Sequence, residues 1–298
     1  MAARTDRCMN ANNDYVLTLS CADVKGIVYA VSGLLYQAGC NILDSQQYGD
    51  PATQLFFMRV HFEAPAHLDT VEKLEPMFAD MRTRFSMHVS MHAVARRMRV
   101  LIAVSRQAHC LNDLLFRWRA GQLPMDVVGV ISNHADCAAL AGHYDVPFHH
   151  APLQPGADMQ CRRAQEQRMA ALMREQQVEL LVLARYMQIL SPQFCAEVQG
   201  RAINIHHSFL PSFKGARPYV QAHQRGVKLI GATAHYVTPE LDEGPIIEQD
   251  VERVDHGLDA DALTAAGQDV ENQVLARAVR WHVERRILMN GHKTVVFK

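Results

Sequence analysis

An amide, an imidazole and a carboxylate occur in an order suited to attack on an acyl carbon. Asn204-Ile205-His206 closes a short apolar run, and Asp242 follows within Glu240-Leu241-Asp242-Glu243-Gly244-Pro245. Cleaving an amide builds an oxyanion and then needs a proton for the departing nitrogen. Asn204 can donate an N–H to that oxyanion. His206 can donate to the same oxygen or shuttle protons, and Asp242 can place a water and stabilise an imidazolium. Alternate residues of a strand face one side, so Asn204 and His206 would stand together at a strand end.

Each residue has a plainer reading when taken alone. Asn-x-His at a strand end often caps a loop, and Asp before Glu-Gly-Pro is a common turn residue. Their joint occurrence favours chemistry. His207, His235, Ser105 and Gly244 are candidate neighbours of such a site, with His235 also readable as a structural residue of the strand Gly231-Ala232-Thr233-Ala234-His235.

A chain of 298 residues is long for one core, so two domains are expected, at 13–94 and 98–298. The polar first 12 residues are expected to be disordered. A strand at 15–20 precedes a helix with apolar Ile27, Val31, Leu34 and Leu35, capped by Asp23 and ending at Gly39. Extended runs at 41–48 and 53–62 flank the turn signal Gly49-Asp50-Pro51. Leu68, Val71, Leu74 and Phe78 trace a second helix, which Pro76 should kink or restart, and 85–94 is a fourth strand with His88 and His92 on its wetter face. The order βαββαβ predicts a ferredoxin-like antiparallel sheet whose helix-free face or edge is open to a ligand or a second copy.

Beyond Arg99 the pattern changes to α/β. Apolar runs at 99–105, 126–133, 178–186 and 201–207 predict a mostly parallel, Rossmann-like sheet covered on both faces. Ligands of such sheets bind beyond the carboxyl ends of the strands. A helix over 258–289 and a strand over 294–297 close the chain.

Composition narrows the classes. The formal charge of -1 and the absence of a basic patch argue against nucleic acid as a partner. No signal-like or membrane-length apolar run occurs, which predicts a cytoplasmic protein with no membrane association. The 7 cysteines are scattered without a CxxC pair and read as reduced thiols. Although there are 16 histidines, HExxH is absent, and neither metal nor cofactor is expected.

Two resemblances sharpen these readings. Tyr15-Val16-Leu17 followed by Asp23-Val24-Lys25-Gly26-Ile27-Val28 resembles the opening of an ACT domain. That implies a small amino-acid effector, with Gly26 and Asn41 as candidate contacts; the alternative is a dimerisation unit that binds nothing. The segment Asn204-Ile205-His206-His207-Ser208-Phe209-Leu210-Pro211-Ser212-Phe213-Lys214-Gly215-Ala216, with Thr233-Ala234-His235 and Leu241-Asp242-Glu243-Gly244-Pro245-Ile246, resembles the folate-dependent formyltransferase family. The resemblance implies a folate lying between Arg185, Tyr186, Met187, Ile189 and Leu190 on one side and Val237 and Leu241 on the other.

The acceptor of the formyl group is a separate question. The loop Val104-Ser105-Arg106-Gln107-Ala108-His109 has no glycine to let backbone approach a phosphate, although Arg106 could still attract one. The His-His-Ser-Phe run is similar to formyltetrahydrofolate deformylases, which pair an ACT domain with this catalytic domain. That likeness implies hydrolysis of 10-formyltetrahydrofolate to tetrahydrofolate and formate, which supplies formate for purine synthesis and balances the one-carbon folate pool. It makes the folate a substrate rather than a cofactor. A homo-oligomer, dimer or tetramer, is expected. The alternatives are a glycinamide ribonucleotide formyltransferase and a non-catalytic amino-acid or folate sensor.

Overall fold

In the computed structural model the described residues are 13–154, 156–210 and 218–298. The expectation for the first 12 residues lies outside them, as does the motif segment Pro211-Ser212-Phe213-Lys214-Gly215-Ala216. The chain divides into two compact units.

The first unit runs β1 (Asp14–Ala22), α1 (Ile27–Gln37), β2 (Asn41–Asp50), β3 (Leu55–Glu63), α2 (Val71–Leu74), a 3-10 turn (Glu75–Phe78), α3 (Ala79–Phe85) and β4 (His88–Ala93). Its four-stranded sheet has the order β2-β3-β1-β4, antiparallel throughout. Strand alternation sends Tyr15, Leu17, Leu19, Phe56, Met58, Val60 and Phe62 into one core with Ile27, Val31, Leu35 and Phe78 from the helices. Pro76 lacks a backbone donor, and the helix loosens there into the 3-10 turn.

Two local expectations change. Gly26, at φ 96, precedes α1 with no side-chain cap, and the Asp23 N–H is bonded to the Gln54 carbonyl. Only glycine adopts such a backbone freely, so the glycine starts the helix where Asp23 was expected to. The sheet face away from the helices is not left open either. Arg59 donates to the Glu284 carbonyl at 3.2 Å, and Gln46, its cross-strand partner, donates to the Lys298 carbonyl at 2.8 Å. Burial, with Arg286 nearby, brings the Arg59 guanidinium down to about 10, although Asp44 opposes the shift.

The chain's last residues therefore group with the first unit, which takes in Glu284–Gly291 and Val295–Lys298, rather than with a domain spanning 98–298. The closing helix is also shorter than expected. α9 (Ala260–Val283) stops before Arg285, whose backbone is left-handed, and β12 (Ile287–Asn290) and β13 (Lys293–Val296) form a hairpin across Gly291.

The second unit contains β5 (Met98–Val104), α4 (His109–Arg119), β6 (Met125–Ser132), α5 (Ala138–His143), β7 (Phe148–His150), α6 (Met159–Glu175), β8 (Leu180–Leu183), α7 (Pro192–Glu197), β9 (Ala202–His206), α8 (Pro218–Arg225), β10 (Leu229–Tyr236), β11 (Ile246–Arg253) and α9. Its seven-stranded sheet has the order β11-β10-β9-β8-β5-β6-β7. β7, β6, β5, β8 and β9 are parallel, whereas β10 and β11 add an antiparallel edge. The order reverses between β5 and β8, and ligands of such sheets bind outside the carboxyl ends of the strands at a switch point of this kind. Among the described residues no helix is long and apolar enough to cross a membrane.

Candidate active site

Strand pairing assembles the core of the site. β9 presents Asn204 and His206, and antiparallel β10 sets His235 directly opposite Asn204. After β10 the chain folds back, with the Tyr236 N–H bonded to the Pro245 carbonyl at 2.9 Å. Only a glycine fits at 244, because a Cβ there would collide with the Tyr236 carbonyl. This close approach returns Asp242, on a left-handed backbone of φ 57, to the end of β9. Its carboxylate lies 3.2 Å from His206 Nδ1 and 3.7 Å from His235 Nε2.

The hydrogen bonds assign roles to the ring nitrogens. His235 Nδ1 lies 2.9 Å from the Tyr236 carbonyl, which can only accept, so that nitrogen carries a proton. In the neutral ring Nε2 then accepts from Asn204 Nδ2 at 3.3 Å, which orients the amide, and the 3.7 Å contact with Asp242 is electrostatic. Burial by itself would raise the Asp242 carboxyl. The hydrogen bond from His206, with His235 close on the other side, outweighs it and holds the group well below the usual carboxylate range. His206 Nε2 is buried without a hydrogen-bond partner among the described residues. Its Nδ1 is engaged by Asp242, so Nε2 is the nitrogen available to a substrate.

These groups line a cavity of about 600 Å³. Tyr186, Met187, Ile189 and Leu190 border it on one side, and Val237 and Leu241 border it as well. Met187, Ile189 and Leu241 stay exposed. Apolar side chains held in the open beside a polar cluster suit a flat heterocycle with a few hydrogen-bonding edges. Ser105 lies behind the wall rather than in it: its hydroxyl donates to Asn133 Oδ1 at 2.8 Å and accepts the Met187 N–H at 2.9 Å. Ser191 caps α7 by accepting the Phe194 N–H, as its place before Pro192 predicts. In the first unit, Gly26 precedes α1 and Asn41 begins β2.

Arg185, expected beside the folate, also lines the cavity, with its guanidinium held by neighbouring side chains. It donates to His207 Nδ1 and to Gln107 at 3.0 Å, and it lies 3.4 Å from Glu271. Glu271, on α9 and 1% exposed, also accepts from His109 at 2.8 Å and from the Tyr219 hydroxyl at 2.6 Å. Burial would raise the Glu271 carboxyl, but His109, Arg185 and Tyr219 together hold it below its usual range. His207 in turn stacks on His206, with ring centroids 5.0 Å apart. Sequence reasoning found Arg185 and His207 but missed Gln107, His109, Tyr219 and Glu271 as site residues.

The ligand atoms of His109, Cys110 and Glu271 lie within 4.8 Å of one another, close enough to hold an ion. They do not suit one. Arg185 and Tyr219 already satisfy the carboxylate, and burial, with Glu271 beside it, pushes the Cys110 thiol far up, away from the thiolate a metal needs.

A mixed sheet with an Asn–His–Asp cluster at its crevice defines a class, and residues 98–279 match the formyl transferase family. Longer-range similarity is more specific. The formyltetrahydrofolate deformylase of Bacillus subtilis (strain 168) is 45% identical over 100% of this chain and 98% of its own length. The crystal structure of the formyltetrahydrofolate deformylase from Burkholderia mallei ATCC 23344 superposes with a TM-score of 0.90 at 50% identity, covering 96% of this chain and 100% of that one. A glycinamide ribonucleotide transformylase from Symbiobacterium toebii reaches a TM-score of 0.63 at 30% identity, over 68% of this chain and 95% of its own. The chain belongs to the formyltetrahydrofolate deformylase family.

Proposed function

We propose that this enzyme hydrolyses 10-formyltetrahydrofolate to tetrahydrofolate and formate, with Asn204, His206 and Asp242 as its catalytic residues. The observation that carries the reading is the convergence of these three side chains, through His235, on one cavity bordered by apolar side chains. The pterin lies along Tyr186 to Leu190, with Val237 and Leu241 opposite, and the formyl group faces His206 Nε2. Water attacks the formyl carbon and gives a proton to His206 Nε2, while Asp242 stabilises the imidazolium through Nδ1. Asn204, held by His235, donates its other N–H to the oxyanion. As the intermediate collapses, the carbon–nitrogen bond breaks, and His206 returns its proton to the folate nitrogen. Formic acid leaves and ionises to formate. Asp242, kept ionised, supplies charge rather than a proton.

The test is formate release from 10-formyltetrahydrofolate with no amine added. Stoichiometric formate and tetrahydrofolate are expected. Formyl transfer that occurs only when glycinamide ribonucleotide is supplied would overturn the proposal.

The first unit supports a regulatory reading: its βαββαβ order and its resemblance to an ACT domain suit an amino-acid effector near Gly26 and Asn41. Titration calorimetry should detect heat with one small amino acid, and silence with all the common ones would remove this role. In the same reading the enzyme is a cytoplasmic homo-oligomer feeding formate to purine synthesis. Sedimentation of the purified protein and fractionation of the cell test those two points.

A further inference from the structure

A hydrolase needs room for one water beside the formyl carbon, yet the cavity next to His206 is lined by a cluster of polar and charged side chains. Gln107, Arg185, His207, Tyr219 and Glu271 all border it. They form a continuous run of contacts from His206 through stacked His207 to Arg185, and from Arg185 to Glu271 with His109 and Tyr219. Well-packed apolar residues would stabilise a buried region as well or better, so stability alone does not call for a paired Arg and Glu here.

We infer that this network is the acceptor wall of the enzyme: it lines the cavity beside His206 with polar and charged side chains already paired to one another, so that water reaches the formyl carbon and an amine does not. The inference rests on the hydrolytic reading above. An incoming ammonium or amine would seek the carboxylate of Glu271. Each oxygen of that carboxylate is already taken, Oε1 by Tyr219 at 2.6 Å and Oε2 by His109 at 2.8 Å and Arg185 at 3.4 Å. Stripping a partner from a buried pair leaves an uncompensated charge, a cost that one new contact does not return. The wall is held by packing as well as by charge. Gly267, one turn before Glu271 on α9, has no room even for a Cβ, because the Tyr219 ring packs directly against it. The ring is thereby pinned with its hydroxyl on Glu271. Water needs none of these groups to be displaced.

The experiment is a partition assay. 10-Formyltetrahydrofolate is turned over with hydroxylamine or glycinamide present in excess, and formate and N-formyl product are counted in the same sample. The native enzyme is expected to give formate alone. The double variant Arg185→Ala/Glu271→Ala removes both charges together and leaves no lone buried ion from that pair. It should raise the N-formyl fraction roughly 10-fold or more, the scale on which a reshaped pocket discriminates. Gln107→Ala, which thins the wall while keeping the ion pair, should give a smaller rise and decides the matter if the double variant does not fold. A product ratio does not depend on how much enzyme is active, so a merely structural role would leave it unchanged. An unchanged ratio in the folded variants overturns the inference. Absence of formate from the native enzyme would instead overturn the hydrolytic reading itself.

Discussion

Replacing Asp242 with asparagine isolates charge from shape. Asp242 occupies a left-handed backbone at φ 57, where asparagine is among the few residues tolerated with little strain, so Asp242→Asn should preserve the loop that Asp242→Ala would disturb. What is lost is the attraction between a carboxylate and the imidazolium that forms 3.2 Å away during proton transfer. With an effective dielectric constant of about 20 this attraction is about 5 kcal/mol. Screening is limited, because the side chains of His206 and Asp242 are only 7% and 15% exposed. The asparagine retains a neutral hydrogen bond worth about 1 kcal/mol, which leaves a deficit of about 4 kcal/mol, or ~10³ in kcat. Formate release followed with a coupled formate dehydrogenase, at saturating folate, reads kcat directly. We expect a fall of ~10²–10⁴ with KM little changed. A folded Asp242→Asn enzyme within about tenfold of the native kcat would refute the charge argument and return the role to geometry.

Three further outcomes follow from the same contacts. Gly244→Ala forces a Cβ onto the Tyr236 carbonyl, so thermal unfolding should show a loss of about 1–3 kcal/mol, and kcat should fall because Asp242 is displaced; native stability would mean the fold-back is looser than it looks. Ser105→Ala strips partners from Asn133 and the Met187 N–H, at about 1–3 kcal/mol, and should raise KM more than it lowers kcat, since the pterin wall shifts while His206 does not; steady-state kinetics showing the reverse split would place Ser105 in the chemistry. Asp242 and Glu271 are both held below the ordinary carboxylate range in the folded protein. Their stabilisation is therefore complete above the unfolded values, about 4, and is lost as pH falls through the lower folded values. Urea midpoints should be flat from neutrality to about pH 5 and drop below about pH 4, and Glu271→Gln should lessen that drop. An identical acid slope in the variant would deny Glu271 its part.

What was legible in the sequence was whatever the chain places close together. Asn204 and His206 are two apart on one strand, and the alternation that predicts their shared face needs no tertiary information. The strands of both sheets were visible for the same reason, as short apolar runs ended by turn residues. The charged network was not, because its members come from the loop after β5, the start of α4, the loop after β8, the end of β9, α8 and α9. One local trace of it exists. On α9 the buried stripe runs Gly267, Val270, Glu271, Val274, Leu275, Ala278 and Val279, so a carboxylate sits inside an apolar seam. A buried acid in such a seam must have a partner, and the partner must carry charge or several donors. That requirement is readable from the α9 stripe, although it does not say which basic residue meets it. The tail was misread for a related reason. Apolar residues continue from α9 through Ile287 and Leu288, and only the left-handed Arg285 shows that the helix has ended and a strand pair has begun.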